Sequence, residues 1–134
     1  MHEDNLISGY RVRKYDGPVK RYCRTLELRD NPELIAEYRR RHSEDGIRRQ
    51  VIEGIREVGI LEMEIYLVGT HLFMIVETPV DFDWDSAMAR LSTLPRQQEW
   101  EDYMSEFQQA PPGASSDEKW MLMERIFHLY GNKE

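Results

Sequence analysis

The stretch ILEMEIYLVGTHLFMIVE, residues 60–77, constrains this chain more than any other. Leu61, Met63, Ile65 and Leu67 alternate with Ile60, Glu62, Glu64, Tyr66 and Val68, the two-residue period of a strand. After Gly69 and Thr70, residues 71–77 are apolar on both faces. A two-residue link with glycine is too short for a crossover, so the runs must pair antiparallel as a hairpin. The remaining elements must pack around that pair.

Upstream, residues 21–28 set Tyr22, Arg24, Leu26 and Leu28 against Cys23, Thr25 and Glu27, a first strand ending at the turn signal RDNPE. Asn31 reads as an N-cap with Pro32 at the first helical position, followed by Leu34, Tyr38 and His42 at i, i+4, i+8. Gly46 interrupts the run, and Ile47, Val51, Ile55 and Val58 continue a helical stripe to a stop at Gly59, as one kinked helix or two. Downstream, Pro79 and the acidic DFDWD open a further helical region, where 96–109 carries Trp100, Tyr103, Met104 and Phe107 at helical spacing. The polar QAPPGASSDE is a loop, and 119–130 alternates as a closing strand.

Strand, helix, strand, strand, helix, strand is the split β-α-β order of the ferredoxin-like class, an α+β fold. Helices then cover one sheet face only. Apolar residues of 61–67 and 72–76 are expected on the other, and the simplest cover is a second copy in a symmetric homodimer. The 134 residues suit one domain, 20–130, with a leader at 1–19 and a tail at 131–134.

Composition excludes several partners. A formal net charge of −7 argues against nucleic acid or an anionic membrane surface, which need a basic face. No apolar run approaches the roughly 20 residues that cross a bilayer, and the first twenty residues lack a secretory signal. The lone Cys23 cannot form an internal disulfide, which points to a reducing cytoplasm. Phosphate loops, dinucleotide fingerprints, serine elbows and zinc spacings are missing, so several common enzyme classes drop out, and with His71 and His128 isolated no metal site is expected.

Tyr38 and His42 share a helical face and can contact one ligand. An imidazole with an ordinary pKa of about 6.5 transfers protons near neutrality, although the same spacing also suits core packing. Trp100 with Tyr103 offers a flat surface of the kind that stacks on a sugar's C–H face, and packing explains that spacing equally well. Glu62 and Glu64 share a strand face, where they either bind hydroxyls or solvate the sheet.

From KRYCRTLEL through NPELIAEYRRRH, GILEMEIYLVGTHLFMIVE, RQQEWEDYM and EKWMLMERIF, the chain resembles the L-rhamnose mutarotase family and its L-fucose-acting relatives. That resemblance implies a dimeric α+β barrel of ferredoxin-like protomers and a cofactor-free interconversion of the α and β anomers of a free 6-deoxyhexose. It implies His42 as proton donor, Tyr38 as a sugar contact and Trp100 as part of the sugar-binding wall. Met63 and Glu101 fall where some members place further pocket aromatics. After His42 the family commonly runs into a hydrophobic residue, Trp, Pro and Glu, where this chain has Asp45, Gly46, Ile47 and Arg48. The competing readings are a non-catalytic sugar-binding dimer and a barrel monooxygenase, since one fold hosts many functions.

Overall fold

Pairing register decides which side of the sheet becomes the core. In the computed structural model, which describes residues 8–43, 47–109 and 119–131, β1 (Val19–Glu27), β2 (Glu62–Val68), β3 (His71–Pro79) and β4 (Met121–Leu122) form one antiparallel sheet in the order β2-β3-β1-β4. Helices α1 (Pro32–Arg41) and α2 (Ile47–Glu57) lie between β1 and β2, and α3 (Trp84–Leu91) and α4 (Gln97–Met104) between β3 and β4. This is the ferredoxin-like order read from the sequence, with each connection doubled into two helices.

Directly opposed residues share a face. Tyr22, Val76 and Met63 form one such row, Arg24, Met74 and Ile65 the next, and Leu26, Leu72 and Leu67 the third. These rows meet the helices: Leu26, Leu28, Tyr38, Leu72, Met104, Phe107 and Trp120 make the buried core, with Leu34, Ile35, Ile65, Leu67 and Met74 packed against it. Each fully buried aliphatic side chain in such a cluster contributes roughly 1.5–3 kcal/mol. The apolar residues of 61–67 and 72–76 expected on the uncovered face are therefore divided. Met63, Ile65, Leu67, Leu72, Met74 and Val76 are core-facing, and the opposite face holds a mixed set including Cys23, Glu64, Tyr66, Phe73 and Ile75. Alternation separates two faces without saying which one the helices claim.

Part of that second face is occupied by the leader. Tyr10 packs edge-on against Tyr66 at 5.7 Å, Tyr15 donates its hydroxyl to Glu77 at 2.9 Å, and Arg13 donates to the Leu61 carbonyl at 3.1 Å. Residues 1–7 of the leader and 132–134 of the tail lie outside the described residues.

Local chemistry places α1 as expected. The Asn31 side chain accepts from the backbone N–H of Glu33 at 2.9 Å and Leu34 at 3.2 Å, and Arg39, Arg40 and Arg41 occupy the last turn, where cations suit the helix dipole. Gly59, at φ +103°, stops the chain after α2, and Gly69, at φ +60°, turns the β2–β3 hairpin. Two expectations are corrected. The helix over 96–109 ends at Met104, and Gln108 instead bridges to Leu28. The closing strand over 119–130 pairs only at Met121 and Leu122, whose partners on β1 are Thr25 and Arg24. Beyond them Ile126, Phe127 and Leu129 are exposed. Among the described residues no helix is long and apolar enough to cross a membrane.

Candidate active site

The C-terminus of α1 sets the first piece of the site. The Tyr38 carbonyl, one of the carbonyls a helix end leaves unsatisfied, accepts from the His42 backbone N–H at 3.3 Å and from His42 Nδ1 at 2.8 Å. A carbonyl only accepts, so Nδ1 carries the proton and Nε2 is the ring nitrogen left for a ligand. Burial pushes the imidazole below its ordinary pKa, outweighing the raising effect of the bond to Tyr38, and Arg48 lowers it further. His42 is therefore neutral at neutral pH, with a lone pair on Nε2.

Around it the rings are interlocked. Tyr38 lies 4.3 Å from His42, and Trp100 meets His42 edge-on at 5.2 Å. Tyr38 is held from below by Phe107 at 5.7 Å, and burial raises its hydroxyl far above the usual range, so it stays protonated. Glu37 joins α1 to α4: its carboxylate accepts from Tyr103 Oη at 3.0 Å and from Arg41 Nε at 2.8 Å. With Arg40 as the largest contributor, followed by Arg41 and Tyr103, these bonds pull the carboxyl down to about 2.

Tyr38, His42 and Trp100 line a cavity of about 380 Å³ between the sheet and the helices, within the range of small-molecule sites. All five residues singled out in the sequence, Tyr38, His42, Met63, Trp100 and Glu101, line it. Tyr103 does not, because its ring packs edge-on against Phe107 and its hydroxyl faces Glu37. Glu62 and Glu64 lie on the opposite sheet face. The wall is largely aliphatic, from Ile52, Ile55, Ile65, Met74, Met88 and Leu91.

Sequence reasoning missed several polar lining groups. Arg24 projects from β1 into the cavity, donates to the Trp120 carbonyl at 2.9 Å and stacks over Trp84 at 4.4 Å. Its signal was a cation between Tyr22 and Leu26 on the core-facing side of a strand. Gln97 and Gln108 also line the cavity while almost fully buried. Gln108 continues the Trp100, Met104 spacing by one more helical step. Arg48 lines the cavity beside His42 and donates from Nε to its carbonyl at 2.8 Å; Asp45 and Gly46 lie outside the described residues. Lys119, only 2% exposed, sits 2.5 Å from the Glu101 carboxylate, an ionic contact, and makes its directed hydrogen bond to Ser105 Oγ at 3.0 Å.

Fold and site together define a small-molecule-binding α+β protein with a neutral histidine and an aromatic wall in an aliphatic cavity. Residues 21–129 match the family model of L-rhamnose mutarotase, and the chain belongs to that family. It is 38% identical over 111 residues to the L-fucose mutarotase of Xanthomonas campestris pv. campestris, covering 83% of this chain and 89% of that protein. A UPF0734 protein of Dictyostelium discoideum is 35% identical over 114 residues, covering 82% and 90%. In fold it resembles the L-rhamnose mutarotase of Formosa agariphila, with a TM-score of 0.57 at 16% identity, over 82% of this chain and 98% of that one. Family membership places the chain among isomerases that interconvert the anomers of a sugar.

Proposed function

We propose that the protein is a mutarotase of a free 6-deoxyhexose, L-fucose or L-rhamnose, with His42 as its proton-transfer group. The observation that carries this reading is the neutral, Nδ1-protonated His42, flanked by Tyr38 and Trp100 in an aliphatic cavity. In the mechanism, Nε2 takes the proton of the anomeric hydroxyl as the C1–O5 bond breaks and its electron pair moves to the ring oxygen. The imidazolium so formed is the donor, returning the proton to O5. Both oxygens are bonded to C1, so one nitrogen can serve both. The aldehyde rotates about C1–C2, and the same steps in reverse close the ring on its other face. Trp100 supplies a stacking wall, and the aliphatic lining suits a C5 methyl better than a hydroxymethyl group.

The protein acts as a cytoplasmic homodimer in this reading. Ile126, Phe127 and Leu129, at 82, 73 and 74% exposed, follow β4 as an exposed apolar segment, and a second copy is the cover proposed. Sedimentation of the protein and of an Ile126→Asp/Phe127→Asp variant tests this; a monomeric parent protein would refute it.

The function is tested by exchange NMR on the anomeric protons of L-fucose, L-rhamnose and D-glucose. Accelerated exchange for one 6-deoxy sugar, reduced by about 10²–10⁴ in His42→Ala, is expected from the loss of positioned acid–base transfer. Saturable binding without faster exchange would replace the mutarotase by a sugar-binding protein.

A further inference from the structure

Gln108 is 3% exposed, lines the cavity, and has an amide oxygen without a hydrogen-bond partner. Its side chain lies beside the Tyr38 hydroxyl and lowers that group's pKa against the larger raising effect of burial, as an N–H turned toward the phenolic oxygen does. The Tyr38 O–H proton then has to point elsewhere. A tyrosine donor and a glutamine acceptor are left side by side at the cavity wall.

The backbone holds this pair rigidly. Arg29 N–H donates to the Phe107 carbonyl at 2.9 Å, Gln109 N–H donates to the Glu27 carbonyl at 2.9 Å, and Leu28 and Gln108 form a bridge between those bonds. A buried acceptor left unmade is costly, and a ligand group that matches it recovers that cost.

We infer that Gln108 and Tyr38 together read one secondary hydroxyl of the bound sugar, the hydroxyl donating to Gln108 Oε1 and accepting from Tyr38 O–H. This rests on the sugar-site reading above and adds a specificity-determining residue to it. Among the groups a sugar offers, only a hydroxyl satisfies both partners. A methylene satisfies neither, a carbonyl or ether oxygen leaves Oε1 unmade, and an unprotonated phosphate oxygen opposes its lone pairs. The pair therefore selects a neutral sugar and rejects its deoxy analogue at one carbon.

The test measures binding by tryptophan fluorescence, since Trp100 and Trp120 line the cavity, and anomer exchange by NMR. Both are run on the parent protein and Gln108→Met, against the preferred sugar and its 2-, 3- and 4-monodeoxy analogues. Expected is a loss of roughly 10- to 100-fold in affinity for the parent sugar in Gln108→Met, the scale of one unmade buried hydrogen bond. For one monodeoxy analogue the two proteins should bind equally. Tyr38→Phe should erase the same hydroxyl preference, so a Gln108 variant that fails to fold does not remove the test. An equal loss for every analogue, or no loss, overturns the inference, and accelerated exchange by the parent protein in the same experiment leaves the mutarotase standing. The single-hydroxyl pattern without accelerated exchange supports the inference and refutes the mutarotase. No sugar binding refutes both.

Discussion

Lys119 and Glu101 form an unequal ion pair, and that inequality predicts the order of two mutations. The Lys119 side chain is 2% exposed and the Glu101 side chain 31%. Glu101→Gln leaves a buried ammonium with only neutral acceptors among the described residues, Ser105 Oγ and the new amide oxygen, an uncompensated charge of the kind that costs about 3 kcal/mol. Lys119→Met leaves a carboxylate whose side chain is 31% exposed and so partly solvated, and its cost is nearer about 1 kcal/mol. The double variant replaces both charges by neutral groups of similar volume and should lose about 1 kcal/mol, far less than the sum. At about 4 °C per kcal/mol for a chain of this size, Glu101→Gln lowers Tm by about 12 °C and Lys119→Met by about 4 °C. Urea unfolding of the four proteins, followed by tryptophan fluorescence, gives the cycle. If Lys119→Met costs as much as Glu101→Gln, or if the two effects add, burial of the lysine is not what the pair compensates. Activity is read separately, because Glu101 also lines the cavity.

Two further outcomes follow from other parts of the site. His42 has a folded pKa below its unfolded value of about 6.5, so the unfolded chain binds its proton first. Stability from this group is complete above that pH and falls as pH drops through it toward the folded pKa, with a slope of at most about 1.4 kcal/mol per pH unit. The slope between pH 7 and 5.5 should flatten in His42→Gln, and an unchanged slope would mean that the imidazole is not held neutral. Gly54 is buried on α2, where an added Cβ would fall on the Gln97 amide, which itself donates to the Val51 carbonyl at 3.0 Å. Gly54→Ala gains about 1 kcal/mol of helix propensity but displaces Gln97, for a net loss of about 1 kcal/mol. In a Gln97→Ala background the same change should become stabilising, as thermal melts of the four proteins would show.

The elements that could be read from the sequence are those whose signals are local. The α1 cap at Asn31, the stop at Gly59 and the turn at Gly69 are fixed by residues a few positions apart, and so is the approach of Tyr38 to His42, one helical turn away. The closing strand failed for the opposite reason. Alternation over 119–130 specifies two faces but no pairing partner, and only Met121 and Leu122 find β1. The helical region that opens at DFDWD was legible from its acidic start, where Asp83 caps α3 by accepting from Ser86 N–H at 3.3 Å, but its division into α3 and α4 was not.

The site divides in the same way. His42, Tyr38 and Trp100 sit on periodic stripes and could be named in advance, whereas Arg24 and Gln108 enter the cavity through long-range register. Arg24 faces inward because it opposes Met74, and Gln108 because it bridges to Leu28, 80 positions away in sequence. A slip of one residue in the β1–β3 register would turn Arg24 outward and bring Cys23 or Thr25 into the cavity, since side chains alternate strictly along a strand. The proposed proton-transfer group thus depends on one helix end, while the polar groups proposed to select the sugar depend on the whole sheet. Substitutions that loosen strand pairing should therefore degrade sugar discrimination before they abolish exchange.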